Sequence, residues 1–302
     1  MAILLSCGAL WRYFKPGGLD VALLRNAITN LVFYLFLPAL VMQVMWQAPI
    51  GWDTLKIALT AACGVLFGFT AGWLLSRVVR MPKKVAGAAI IASGIGNTVY
   101  LGLPVLEASF GPWARRIAIQ YDLLACLPLL LSLGMLIARH HSEIKLPRQS
   151  TLGELKRIPA LWAMLFAVVL NIAGVPSTAF IDGLLQLLSA CVVPLMLISL
   201  GMNLRWQNGM RGKRAWLSLV AIIQLVLVPV VAWVFAWSIG LQGELLMATV
   251  VEAAMPCAVL GIMVCERYKL DVSFYAAAAT LSTLISLASL PLWLQIVSEL
   301  HG

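Results

Sequence analysis

The chain has 302 residues, 62% of them hydrophobic and only 11% charged, with a mean hydropathy of +0.96; soluble domains carry roughly 25% charge. That composition excludes a soluble globular protein and requires an integral membrane one. The net charge of +9 is spread over short loops, leaving a nucleic-acid partner no basic patch to bind.

Residues 2–13 open the chain with an apolar stretch only about 18 Å long at the helical rise of ~1.5 Å per residue. No basic region precedes it, and Cys-Gly-Ala-Leu-Trp at 7–11 is a poor cleavage site, so it reads as a short first helix rather than a signal peptide. Its shortness leaves open that a turn or two precede the given start. Nine apolar windows of about 20 residues follow, at 24–45, 55–79, 85–106, 114–138, 159–175, 179–202, 215–239, 245–264 and 272–296. Each is long enough to cross ~30 Å of hydrocarbon as a helix, and no ~10-residue alternation suggests a β-barrel. The expected fold is all-α, with ten transmembrane helices.

Positive charge sets the orientation. Arg12, Lys15 and Arg25 flank the first loop; Arg77, Arg80, Lys83 and Lys84 the third; Arg139, Lys145, Arg148, Lys156 and Arg157 the fifth. Arg205, Arg211, Lys213 and Arg214 flank the seventh, and Arg267 and Lys269 the ninth. Of the 21 basic residues only Lys56, Arg115 and Arg116 fall on the other side. By the positive-inside rule the odd loops are cytoplasmic and both termini lie outside, in a multi-pass protein of the plasma or bacterial inner membrane.

The third of these windows, the fourth helix of the ten, is interrupted. Residues 93–104 read Ser-Gly-Ile-Gly-Asn-Thr-Val-Tyr-Leu-Gly-Leu-Pro, placing Gly94, Gly96, Gly102 and Pro104 where a spanning helix should be continuous. Backbone groups freed inside a bilayer must be satisfied by protein, water or ligand, so such a break marks a site. Sliding the chain by 156 residues sets Asn30 on Gln186, Pro38 on Pro194, and the Gly96-Asn97 break on Glu252-Ala253, just before Met255-Pro256. Five helices per half would invert the second copy, giving repeats at 1–138 and 159–302 joined by a basic linker at 139–158. Inverted repeats with a broken helix in each copy are a secondary-transporter architecture. Four half-helix ends would then meet at mid-membrane, the N-terminal ends favouring a small anion and the C-terminal ends a cation or proton-bearing group.

Gly96-Asn97-Thr98-Val99-Tyr100-Leu101-Gly102-Leu103-Pro104 resembles the Gly-Asn-Thr-Gly-Tyr-Leu-Gly-Ile-Pro signature of the auxin efflux carrier family of transporters. Similar stretches lie at 30–40 (Asn-Leu-Val-Phe-Tyr-Leu-Phe-Leu-Pro-Ala-Leu), 194–201 (Pro-Leu-Met-Leu-Ile-Ser-Leu-Gly), 255–259 (Met-Pro-Cys-Ala-Val) and 266–268 (Glu-Arg-Tyr). The resemblance implies a fold like that of bile acid symporters and sodium/proton antiporters, with the broken fourth and ninth helices crossed. It further implies a scaffold and homodimer interface from 1–52 and 159–203, and a transport domain from 53–138 and 215–298 that moves like an elevator. Bacterial members are associated with malate, malonate and related acids, plant members with auxin. Val99 departs from the family's glycine and would tighten the site.

Asn97, Thr98, Tyr100 and Ser93 are the candidate substrate contacts; Asn97 could alternatively cap the second half-helix. Pro104, Pro256, Pro38 and Pro194, with Gly94, Gly96 and Gly102, are architectural candidates. Glu252, a carboxylate one turn before Pro256, is the first candidate for coupling to a proton or sodium ion, since a charge within a span costs a few kcal/mol and is seldom idle. Asp122 is the second, with pairing to Arg115 or Arg116 as its structural alternative. Asn30, Gln186 and Gln224 are explained by interhelical hydrogen bonds. The six cysteines lack metal-site spacing and read as packing residues, and His140, His141 and His301 are expected in a loop and at the C-terminus.

No cofactor or metal is expected. The sequence has no Gly-x-x-x-x-Gly-Lys phosphate loop to power a pump. Tyr121-Asp122 is half of an aspartyl protease pair without its second aspartate, and Ser93 lacks a membrane histidine. A secondary carrier of a small organic anion remains, with a substrate sensor on the same fold as the alternative.

Overall fold

The computed structural model describes residues 2–144, 151–203 and 211–301; Lys145, Pro147 and Arg148 of the linker, and Arg205, lie outside them. The chain is helical: α1 (Ala2–Phe14), α2 (Val21–Gln47), α3 (Trp52–Val78), α4 (Lys83–Gly94), α5 (Thr98–Phe110), α6 (Pro112–His141), α7 (Thr151–Leu155), α8 (Pro159–Ile172), α9 (Ala179–Asn203), α10 (Arg214–Ser238), α11 (Gly243–Ala253), α12 (Gly261–Arg267) and α13 (Val272–His301). Among the described residues six of these, α2, α3, α6, α9, α10 and α13, are long and apolar enough to cross a membrane. The perimeter exposes large apolar side chains such as Trp52, Val78 and Phe180, as a surface solvated by lipid does and a soluble one does not.

Prolines in these helices are absorbed rather than breaking them. Four π-turns, Val32–Phe36, Thr98–Gly102, Asp122–Cys126 and Ile223–Leu227, each end two residues before a proline: Pro38, Pro104, Pro128 and Pro229. A proline ring collides with the carbonyl four residues back, and widening the preceding turn relieves that collision. α2 runs through Pro38 without interruption, and the break before α5 lies at residues 95–97, ahead of Pro104. Pro194, paired with Pro38 by the sequence offset, behaves differently, since a turn at Cys191 interrupts α9 just before it. His140 and His141 close the last turn of α6 instead of lying in a loop.

The helices pack in two groups. In one, α1 and α2 pack against α9, and α2 against α8. At the α1–α9 contact, a Cβ on Gly8 or Gly201 would strike the other helix's backbone, so only glycine permits the approach. In the other group, α3 packs on α4 and α10, α4 on α6 and α13, and α11 on α6, α10 and α13. The groups meet where α5 touches α9 and α2 touches α6.

Ion pairs gather the basic loops on one face. Lys84 Nζ lies 2.6 Å from Glu143, Lys213 Nζ 2.6 Å from Asp271, and an Arg267 nitrogen 3.2 Å from Glu154. On the opposite face Lys56 Nζ donates to the Gly240 carbonyl at 2.9 Å.

Candidate functional site

Both interruptions are present, and they touch. α4 stops at Gly94, Ile95 is extended (φ −108°, ψ 107°), and helix resumes at Thr98. α11 stops at Ala253 and helix resumes at Gly261. Between them Gly96 and Cys257 form an antiparallel bridge, in which Asn97 N–H donates to the Pro256 carbonyl at 2.7 Å and Ala258 N–H to the Ile95 carbonyl at 2.9 Å. Cys257, not Glu252, stands opposite Gly96, and the second break begins at residue 254, just after the Glu252-Ala253 position that the sequence offset gives it.

Side chains from neighbouring helices satisfy what the breaks release, as burial away from water requires. Gln224 Nε2 donates to the Met255 carbonyl at 2.9 Å, and Tyr275 OH to the Ala258 carbonyl at 2.8 Å. Ser282 Oγ accepts from Cys257 N–H at 3.1 Å, and Cys257 Sγ donates to the Ala92 carbonyl at 2.9 Å. Pro256 thus belongs to the crossing itself.

A cavity of about 50 Å3 lies on one side of the crossing, lined by Asn97, Thr98, Val99, Tyr100, Asp122 and Ala258 among others. Asn97 and Thr98 are 2% and 1% exposed. The Asn97 side chain caps no helix, and its Nδ2 has no hydrogen-bond partner among the described residues. The first-turn amides of a helix, here those of Thr98, Val99 and Tyr100, have no intrahelical acceptor. Thr98 Oγ1 donates to Asp122 at 2.6 Å. This corrects the pairing expected for Asp122: Arg115 pairs with Glu107, and the Arg116 guanidinium lies over the Trp113 ring.

A second, smaller chamber of about 10 Å3, room for one water, lies beside the first, with Gly96 and Cys126 lining both. Glu252, Gln224 and Tyr121 line it. Glu252 is 0% exposed, and among the described residues neither of its oxygens, nor Gln224 Oε1, has a hydrogen-bond partner. Its carboxylate lies where a Cβ on Gly102 would project, so Gly102 is required by close approach, not by helix breaking. Gly94 is likewise packed against Phe69.

Ser93 is not brought to either cavity. It is buried, and its hydroxyl donates to the Ala89 carbonyl of its own helix at 2.8 Å. Asn30 and Gln186 are exposed, away from the crossing. Gln224, read in the sequence only as interhelical glue, Tyr121, noted only as part of an incomplete protease pair, and Tyr275 and Ser282, which no spacing singled out, complete the site; the one signal for Gln224 was an amide within an otherwise apolar span.

A profile of the family described as Membrane transport protein matches residues 22–294. A protein named "Uncharacterized transporter" from Methanothermobacter thermautotrophicus is 30% identical, covering 91% of this chain and 88% of its own. Another so named, from Methanocaldococcus jannaschii, is 25% identical over 88% and 87% of the two chains. A "Probable auxin efflux carrier component 5b" from Oryza sativa is 24% identical over 64% and 63%.

Proposed function

The chain belongs to the membrane transport protein family, a multi-pass transporter and not an enzyme, and from that premise we propose that it carries a small organic anion of the malate or malonate class, together with a proton or sodium ion. The observation that carries this reading is the clustering of donors at the first break. The amides of Thr98, Val99 and Tyr100, with the unpartnered Asn97 side chain, surround one cavity at the positive end of α5.

Asp122 in the same cavity, and Glu252 in the adjoining chamber, supply the reason for a coupling ion. An anion entering beside carboxylates must bring positive charge with it or be repelled. The small chamber offers three acceptor oxygens, from Glu252 and Gln224, that have no partner among the described residues, a set suited to a proton or a hard cation.

Ten helices in two inverted five-helix repeats, with the odd loops cytoplasmic and both termini outside, are the arrangement we favour. The antiparallel crossing and the gathering of Lys84, Lys213 and Arg267 on one face support it. At about 50 Å3 the cavity holds about three or four waters, so loading a dicarboxylate requires the elements around it to move apart. An elevator in which α3–α6 and α10–α13 slide against α1, α2, α8 and α9 provides that movement, and the second group would also pair two copies.

Uptake of labelled malonate and malate into vesicles containing the purified chain tests the proposal. We expect accumulation driven by a proton or sodium gradient, and a loss of at least about tenfold in Asn97→Ala, since charge-assisted hydrogen bonds contribute ~1.5–3 kcal/mol. Binding without flux would make the protein a sensor and overturn the carrier reading.

A further inference from the structure

A groove of about 450 Å3 runs along the flank where α3, α4 and α6 meet, separate from both cavities. Leu66, Phe69 and Trp73 of α3 and Leu133 and Leu136 of α6 form apolar walls, and His140 and His141 close one end. Leu66, Trp73, Leu133 and Leu136 are exposed, so at membrane depth their medium is acyl chain. From Leu66 to Arg77 the helical rise spans about 16 Å, the depth of one leaflet of a ~30 Å hydrocarbon core.

The closed end is cationic. The Arg77 guanidinium lies 5.6 Å from the Trp73 ring centroid, and Arg77 and Lys83 are both within electrostatic reach of His141. Lys84 is matched by Glu143 at 2.6 Å. Among the described residues neither Arg77 nor Lys83 forms an ion pair. A zwitterionic head group would bring an ammonium to this mouth, where Glu143, the acid that bonds Lys84, is already engaged. An anionic one brings the charge that two unmatched cations lack.

We propose that this groove binds one phospholipid with an anionic head group, its acyl chain along the Leu66–Leu136 walls and its phosphate at Arg77 and Lys83. The inference rests on the membrane setting and on this face alone, and is independent of what the crossing carries.

Native mass spectrometry of the full chain, offered equal amounts of phosphatidylglycerol and phosphatidylcholine with matched acyl chains, tests it. Wild type should retain phosphatidylglycerol with about fivefold preference or more. The double variant Arg77→Gln, Lys83→Gln should lose that preference, and Lys56→Gln on the opposite face should keep it. Both altered side chains are exposed, so folding is not at stake. Adding sodium phosphate should not displace the lipid. Equal retention of the two lipids, an undiminished preference in the double variant, or displacement by phosphate alone would overturn the proposal.

Discussion

The two interruptions use the same backbone device and leave different polar atoms beside them. The first is short, residues 95–97, and sets donors beside a cavity of about 50 Å3: Asn97 Nδ2, which has no partner among the described residues, and the opening N–H groups of α5, which have no intrahelical acceptor. The second is longer, residues 254–260, and beside it two side chains, Glu252 of α11 and Gln224 of α10, present acceptor oxygens without partners among the described residues, at a chamber of about 10 Å3. Gly96 and Cys126 line both. The proposed anion site and the proposed coupling-ion site therefore share two lining residues, and on that reading binding of one charge depends on the other.

The largest effect should come from forcing the two apart. Gly102→Leu places a side chain where the Glu252 carboxylate lies; overpacking a filled core costs ~1–3 kcal/mol, and we expect flux to vanish and the melting temperature to fall by about 2 °C or more. A variant that still transports would show that the carboxylate has room to withdraw. Next, Glu252→Gln keeps the volume and removes the charge. Gradient-driven accumulation should collapse to about its equilibrium level while exchange persists, and unchanged gradient dependence in a vesicle assay would remove Glu252 from coupling. Thr98→Val deletes the hydroxyl that donates to Asp122 at 2.6 Å; the expected cost is roughly tenfold in apparent substrate affinity, read as a rise in KM. The smallest effect is assigned to Ser93→Ala, whose hydroxyl serves only its own helix. Flux should stay within about twofold, and a larger loss would return Ser93 to the site.

Much of this was legible because membrane helices announce themselves: apolar windows marked the long helices, and glycines followed by Asn97 marked the first break. The residue opposite Gly96 was misassigned because repeat register was inferred from a few matched positions, whereas pairing of Gly96 with Cys257 is fixed by backbone hydrogen bonds that leave no composition signal. The prolines were legible as architectural, but that each of Pro38 and Pro104 follows a widened turn was not, since a sequence does not show how a helix accommodates a proline. Asp122 was sent toward the nearby arginines by proximity along the helix, but Arg115 is engaged by Glu107 and the folded chain brings Thr98 to it instead. Gln224 was seen as polar and buried, yet only the fold puts it against Met255.

Calorimetric titration of malonate into the purified chain reaches the central claim most directly, that donors left by the first break hold the anion. Saturable binding in wild type and Ser93→Ala, lost in Asn97→Ala, is the predicted result. Equal binding by the wild type and Asn97→Ala would contradict it.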